Sequence, residues 1–294
     1  MVSTTASALI VDRPEIEHAL GEVSGIGDVA RPLSGWERIS QNPAIRRITV
    51  LLILAVLWEG AARWSDNPLL FPSLTETIVA LWHGLADGTL LARMATSLEV
   101  LLLGYSIALG FAMLFTIMAV SSSFGADVLT TLASMFNPLP ALAILPLALL
   151  WLGIGIPGLI LVMVQSVVWT VAINTFAGFQ SVPPTLRMAG QNFGFSGLGY
   201  IFRILIPAAF PSILIGLKIG WAHAWRTLIG AELVFGVASR SGGLGWYIYE
   251  NRAALETANV FAGLLAVIAI GFMVENLLFR TIEARTIRKW GIVS

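Results

Sequence analysis

The sequence predicts an all-α membrane protein with about six transmembrane helices. Three observations support this class: the mean hydropathy is +0.84, hydrophobic residues make up 57% of the 294 residues, and charged residues only 12%. Soluble proteins carry about 25% charged residues. The apolar residues also form blocks of about 20, the length with which a helix crosses a hydrocarbon core of about 30 Å. Lipid offers no hydrogen-bond partner to open backbone, so these blocks are helical.

Residues 1–44 are predicted to be a cytoplasmic tail that precedes a transmembrane domain over 45–290, with 291–294 as the C-terminal end. The tail is acidic before Arg31 and lacks the basic region of a signal peptide, so we expect it to stay uncleaved. Residues 33–39 carry Trp36 and could lie along the membrane surface as an interfacial helix. An extended tail is the equally weighted alternative.

Six apolar segments follow in order. They are Ile48 to Trp64, Ala95 to Val120, Val128 to Gly155, Leu159 to Phe179, Pro207 to Val234 and Val260 to Phe279. An interrupted stretch, Leu69 to Leu81, begins with a Pro-Ser entry signal and predicts an amphipathic helix on the outer face.

The third segment contains Pro138, Pro140 and Pro146, which predict a broken helix. A broken helix at membrane depth survives only where it lines a cavity or is covered by protein, so we expect this segment to be central. In the fourth segment Ser166, Thr170 and Asn174 recur at helical spacing. They favour hydrogen bonding between helices over contact with a substrate.

Lysine and arginine are distributed unequally between the two sides. One side would hold Arg13, Arg31, Arg38, Arg46, Arg47, Arg187, Arg203, Arg280, Arg285, Arg288 and Lys289, and the other Arg63, Arg93, Arg240 and Arg252. Eleven against four predicts that both termini and the loop after residue 180 are cytoplasmic.

That loop, over residues 180–207, contains a specific spacing: Ala189, then Gly194, then Pro207 thirteen residues later. In this feature the chain resembles the permease subunits of bacterial ATP-binding-cassette importers. Those subunits carry Glu-Ala-Ala, three residues and Gly, followed after about nine residues by an apolar residue and Leu-Pro. Here Met188, Ala189 and Gly190 occupy the first three positions, so the Glu and the second Ala are absent.

The resemblance extends from about Leu69 to Trp290 and is greatest to the nitrate, sulfonate, taurine and bicarbonate group. It implies a type I importer permease fold in a bacterial inner membrane. It also implies a cytoplasmic coupling helix in which Met188, Ala189, Gly190, Gly194 and Pro207 engage an ATPase subunit. The implied partners are a second permease copy, two ATPase subunits that hold ATP and Mg, and a periplasmic or lipoprotein solute-binding protein. We expect no nucleic-acid partner.

The fifth segment carries Lys218, His223, Arg226 and Glu232 on one half of a helix. Ionisable groups in a span indicate a protein-lined or hydrated interior, so these residues are candidates for the translocation pathway. Arg226 is the first candidate for attracting an anionic substrate. A structural ion pair of Arg226 with Glu232 or Glu99 is an equally open alternative. A neutral, hydrogen-bonded His223 is favoured over a proton relay.

Several protein classes compete with an importer subunit. A self-contained secondary transporter would more often have ten or more spans. An intramembrane enzyme would need a nucleophile with its base, or a metal cluster, yet there is no cysteine and the three histidines lie far apart. No P-loop pattern occurs, so we expect neither a cofactor nor catalytic residues in this chain. Residues 242–246, Gly-Gly-Leu-Gly-Trp, predict a tight re-entrant turn on the outer side.

Overall fold

The structure is a computed structural model that describes residues 42–235 and 242–286. The predicted interfacial segment at 33–39, together with Arg240, Arg288 and Lys289, lies outside these residues. The chain divides after Leu54 into two compact units. The regular elements of the described residues are all helical, which confirms the predicted fold class.

The helices follow one another with short connections. In order they are α1 (Pro43–Ser65), α2 (Leu74–Ala86), α3 (Thr89–Ser121), α4 (Ser123–Phe136), a 3-10 turn (Ala141–Ile144), α5 (Leu145–Leu152), α6 (Ile156–Gln180), α7 (Pro184–Asn192), α8 (Gly197–Tyr200), a π turn (Ile201–Leu205), α9 (Ile206–Phe235), α10 (Leu244–Ala253), α11 (Thr257–Met273), a second π turn (Val274–Phe279) and α12 (Arg280–Arg285).

Among the described residues, four helical segments are long and apolar enough to cross a membrane: Thr89–Ser121, Ile156–Gln180, Ile201–Val234 and Thr257–Arg285. The bent pair Ser123–Phe136 and Ala141–Leu152 would make a fifth if it counts as one span. Helix α1 is not in that set. Because the count of six includes α1, that count stays a prediction.

The segment predicted to be broken by prolines bends by 85° between α4 and the helical segment Ala141–Leu152. Residues 137–140, Asn-Pro-Leu-Pro, separate the two parts because neither proline can donate a backbone hydrogen bond. Pro146 lies in the first turn of α5, where a helix tolerates the missing donor. The predicted break is therefore confirmed.

The fifth apolar span begins earlier than predicted. The segment was expected to start at Pro207, but helical geometry runs from Ile201 through a π turn in which the Ile206 N–H donates to the Ile201 carbonyl. Pro207 has no backbone N–H for the next turn, and a π turn just before a proline accommodates this loss without ending the helix.

Helix α6 lies at the centre of the molecule, packed between α3 and α9. Its contact with α9 depends on glycines that let the two backbones approach. A Cβ atom at Gly216 would lie 2.8 Å from Asn174 Cβ, and one at Gly220 would lie 2.7 Å from Val171 Cγ2. Small residues at such crossings are typical of membrane helix pairs, because close backbone approach maximises van der Waals contact.

Helix α2 begins at Leu74 with a capping box formed by Ser73 and Glu76. The Ser73 hydroxyl accepts from the Glu76 N–H at 3.1 Å, and the Glu76 carboxylate accepts from the Ser73 N–H at 2.8 Å. This reciprocal pair satisfies two helix-end donors and explains why the Pro-Ser signal predicts the helix start to within a few residues.

Candidate functional site

The segment between α6 and α9 is folded back onto the end of α6. The Arg187 guanidinium in α7 donates to the carbonyls of Phe179 and Val182. These carbonyls lie at or just past the end of α6, where helical partners are missing. Arg187 therefore attaches α7 to the helix that forms the centre of the bundle.

Helix α7 ends in a Schellman motif around Gly194. The Phe195 N–H donates to the Gly190 carbonyl at 3.1 Å, and the Gly194 N–H donates to the Gln191 carbonyl at 2.9 Å. Gly194 has a φ of +78°, a conformation that glycine adopts without the steric cost of a side chain. The glycine of the spacing pattern thus has a local physical reason.

Gly190 is buried where α7 meets the next helix. A Cβ atom there would lie 3.0 Å from Ile204 Cγ1 and 3.1 Å from Tyr200 Cε2. Met188 and Phe193 are exposed, whereas Ala189 is half-buried. The ring of Tyr200 therefore packs on Gly190, and the absence of a side chain at Gly190 makes this contact possible.

A cavity of about 420 Å³ lies beside the break between α4 and α5. Its walls come from the break, α6 and α9: Asn137, Leu139, Pro140, Ala141, Leu142, Gln165, Ser166, His223, Arg226 and Thr227. None of these lining residues is acidic. We call this space the arginine cavity.

Hydrogen bonds hold the break against α6. The Gln165 amide nitrogen donates to the Phe136 carbonyl at 2.9 Å, and the Thr170 hydroxyl lies 3.3 Å from Asn137 Oδ1. His223 Nδ1 lies 3.4 Å from the Thr170 hydroxyl and 3.3 Å from the Ser166 carbonyl. Of the three predicted residues, Thr170 contacts two neighbouring elements, whereas the side chains of Ser166 and Asn174 donate to carbonyls within α6.

Arg226 is exposed in the arginine cavity, and its only hydrogen bond among the described residues is from Nε to the Ala222 carbonyl at 3.1 Å. It forms no ion pair with Glu232, Glu99 or any other residue of the described ranges. An ionised side chain costs roughly 2.5–3.5 kcal/mol at the centre of a span. An unpaired guanidinium at this depth therefore faces water or protein, not lipid.

Lys218 lies on the neighbouring wall, where its Nζ is 3.1 Å from the Glu275 carboxylate. Both side chains are about half exposed, at 46% and 60%. A second cavity of about 390 Å³ is bordered by this pair and by Trp225, with Arg226 on the edge that separates it from the arginine cavity. Three of the four predicted pathway residues thus lie along one surface.

Glu232 lies elsewhere and is buried. Its carboxylate accepts from the Ser97 hydroxyl at 2.9 Å and from the Gly245 N–H at 2.8 Å, while the Leu244 N–H donates to the Ser97 hydroxyl at 2.8 Å. The carboxylate thus meets the N-terminus of α10, where helix geometry leaves donors unpaired. A Cβ at Gly243 would lie 2.1 Å from Glu232 Oε1. Only glycine fits there. The turn predicted over residues 242–246 is wrong at 244–246, which form the first turn of α10 after the N-cap Gly243.

A third cavity, of about 450 Å³, lies between α2, α3 and α10 and contains an ion pair of 3.0 Å between Arg93 and Glu250. Burial, followed by the charges of Asp87 and Glu256, raises the pKa of Tyr247 there. Across the described ranges no cluster of three or more His, Asp or Glu side chains could hold a metal ion.

Sequence reasoning missed Ser97, Asn137 and Gln165. Ser97 lies 135 residues from its carboxylate partner, and no local pattern indicates that pairing. Asn137 adjoins Pro138, so its position at a membrane-depth break was a usable signal for a cavity-lining residue.

Comparison with known proteins identifies the chain's relatives. The family described as "Binding-protein-dependent transport system inner membrane component" matches residues 108–288. The taurine transport system permease protein TauC of Escherichia coli is 32% identical over 77% of this chain and 83% of its own. The nitrate import permease protein NrtB of Synechocystis is 27% identical over 80% and 85%, respectively.

A solved structure has the same fold. A crystal structure of an amino acid ABC transporter with histidines matches 71% of this chain and 97% of its own, with a TM-score of 0.53 and 19% identity. Three observations point to the same family: the helical bundle with its apolar spans, the spacing around Gly194, and the match over residues 108–288. The chain therefore belongs to the family of inner-membrane permease components of binding-protein-dependent ABC transport systems.

Proposed function

We propose that this chain forms the translocation pathway of an ATP-driven importer for a small anion, with taurine-like sulfonates and nitrate as the first candidates. The observation that carries the proposal is Arg226, an unpaired cation in a cavity with no acidic lining residue. A guanidinium holds sulfonate, nitrate or carboxylate oxygens in a fork, so it would favour anions over neutral or cationic solutes. Relatives named for taurine and nitrate support the same substrate class.

The driving force would come from a separate ATPase subunit. The chain has no P-loop pattern, so ATP and Mg would be held by that partner. Helix α7 is suited to receive its movement, because Met188 and Phe193 are exposed while Arg187 attaches the helix to α6. Movement of α7 would reach α6, whose Gln165 and Ser166 border the arginine cavity. Ala189, Gly190, Gly194 and Pro207 would serve as structural parts of this coupling element.

The complete importer would contain two copies of this chain, two ATPase subunits and an external solute-binding protein. Both termini and α7 would face the cytoplasm, as the excess of arginine and lysine on that side favours. Within this arrangement Lys218 would be neutralised by Glu275, and Arg226 would carry the uncompensated charge of the pathway.

The proposal is tested by purifying the affinity-tagged chain from its native membranes and reconstituting the complex into proteoliposomes. We expect an ATPase to co-purify and ATP-dependent uptake of radiolabelled taurine or nitrate. Arg226→Gln should reduce uptake about tenfold or more while the amount of assembled complex is unchanged, since a charged hydrogen bond is lost without altering packing. Uptake that continues in complexes stripped of the ATPase would contradict the proposal and support a secondary transporter.

A further inference from the structure

One face of α9 is uncovered over three turns. Its exposed residues recur every three or four positions: Ile215, Lys218, Ile219, Ala222 and Arg226. This spacing places them in a single stripe along the helix. The stripe carries two cations. Arg226 borders both the arginine cavity and the second cavity, which Lys218, Ile219 and Ala222 also line.

Lipid is a poor neighbour for this surface. Besides the two cations, the surface includes residues 137–140, where two prolines interrupt the helix and only Asn137 and Leu139 have a backbone N–H to donate. Irregular backbone at membrane depth occurs where protein or a water-filled cavity covers it. Something other than lipid therefore covers the stripe and the open cavity.

A second copy of this chain fits as the cover. Arg226 belongs both to the exposed stripe and to the wall of the arginine cavity, so one chain leaves part of this wall uncovered. Identical chains most often pair around a two-fold axis, and a residue close to that axis then faces its own counterpart. Arg226 lies at the cavity edge and is not paired with any described residue. Its charge is therefore the one most affected by a second copy that faces this surface.

The charges indicate what would lie between the two copies. Lys218 and Glu275 neutralise each other, so each copy contributes one uncompensated cation, Arg226. Two facing guanidinium groups in a site without acidic residues repel each other unless an anion lies between them. A guanidinium presents parallel N–H donors, and an anion with two or three oxygens can accept from two such forks at once.

We propose that Arg226 from two copies of this chain form one shared oxyanion site at the interface between the copies. This inference rests on the proposed function and adds to it that neither copy holds the anion alone. Binding at one shared site, in contrast to one site per copy, predicts that a single defective copy abolishes binding in the whole dimer.

The absence of cysteine makes a thiol experiment possible. Ala222→Cys introduces a thiol one turn from Arg226 on the exposed stripe, and its rate of reaction with a negatively charged methanethiosulfonate reagent is measured in the purified intact transporter. We expect nitrate or methanesulfonate to slow this reaction about threefold or more, relative to gluconate at equal ionic strength, because the anion occupies the site next to the thiol.

The decisive sample is a mixed dimer, purified with two different tags. One copy carries Ala222→Cys with Arg226 intact, and the other carries Arg226→Gln and no thiol. A shared site predicts that protection by nitrate and methanesulfonate is lost, although the thiol-bearing copy keeps its own arginine. The matched control carries Arg63→Gln in the second copy, at an exposed ion pair outside the cavity, and should keep full protection.

Protection that persists with one Arg226→Gln copy overturns the inference in favour of separate sites. Complexes that contain a single copy of this chain, or a thiol that no anion protects, also overturn it. Should Ala222→Cys fail to assemble, Leu139→Cys on the exposed cavity wall serves as the second reporter. The experiment needs neither ATP nor uptake, so failure of ATP-driven transport counts against the proposed function alone.

Discussion

At the scale of single residues, Glu232 and Arg226 differ in the way their charges are satisfied. Both lie in α9, and both were predicted to lie along the pathway. Glu232 is 3% exposed and accepts hydrogen bonds from Ser97 and Gly245, whereas Arg226 is exposed and bonds only to its own helix within the described residues. Substitution of Glu232 would leave its buried donors without a partner, so this residue is expected to be structural. The charge of Arg226, in contrast, is available to a ligand.

Ser97 is predicted to be essential for the stability of this buried network. Ser97→Ala removes a donor to Glu232 and the acceptor of the Leu244 N–H, so two buried groups lose a partner. We expect the detergent-purified protein to lose about 1–3 kcal/mol of stability. The measurement is the thermal unfolding midpoint, compared with that of the wild type.

Ser106→Ala is the matched control for this prediction. Ser106 lies in the same helix, is exposed, and has no hydrogen bond within the described ranges. Its substitution should leave the unfolding midpoint within the experimental error. Equal midpoints for the two variants would show that the Ser97 network contributes nothing measurable.

At the scale of helices, the end of α7 depends on the left-handed backbone of Gly194. An L-residue there costs about 1–2 kcal/mol, so Gly194→Ala should loosen the Schellman motif and the link between α7 and α9. We expect a severalfold lower ratio of solute transported to ATP hydrolysed, measured in proteoliposomes.

Gly199→Ala tests the same segment without this strain. A Cβ atom at Gly199 meets nothing within 4 Å, and its φ is not positive. The variant should therefore couple transport to hydrolysis as the wild type does. If both glycine variants reduce coupling equally, the conformation of Gly194 is not the cause.

The crossing of α6 and α9 gives a second prediction at this scale. Gly220→Leu would force a side chain into Val171, since even a Cβ atom lies 2.7 Å from Val171 Cγ2. Overpacking typically costs about 1–3 kcal/mol, and here it acts on the central helix pair. We expect little folded protein after purification, judged by a monodisperse peak in size-exclusion chromatography. Gly110→Leu, at a position with open space, should yield normal amounts.

The elements that sequence reasoning predicts well are those with a local signal. Apolar blocks identify α3, α6 and α9, Ser73 indicates the start of α2, and Pro138 with Pro140 indicates the break after α4. The start of the fifth span was misplaced because a proline is compatible with a continuing helix when a π turn precedes it.

The candidate site was predictable only in part. The type and spacing of Lys218, His223 and Arg226 indicate an ionisable helix face, and the structure brings Arg226 and His223 to one cavity. The burial of Glu232 was not predictable, because it depends on Ser97, which is 135 residues away, as well as on the glycine at position 243. Contacts between residues that are far apart in the chain produce no repeating pattern that a single sequence could reveal.

At the scale of the whole molecule, the number of spans depends on α1. Arg46 and Arg47 lie near its start, whereas Arg63 near its other end is paired with Glu59 at 2.7 Å. The unpaired positive charges favour a cytoplasmic start for α1 and hence a spanning orientation. A sixth span places the chain's two ends on the same side, whereas five would place them on opposite sides.

Thiol accessibility in intact cells distinguishes these topologies, because the wild-type chain has no cysteine. With a membrane-impermeant maleimide, we expect Ala86→Cys to react from outside, and Asn42→Cys and Asn192→Cys to react only after the membrane is permeabilised. Alkaline phosphatase fused after Ser294 should be inactive, which reports a cytoplasmic C-terminus. Labelling of Asn42→Cys in intact cells, with Asn192→Cys still protected, would mean that α1 does not cross the membrane. Six spans would then be wrong, while the cytoplasmic position of α7 and its access to an ATPase would stand.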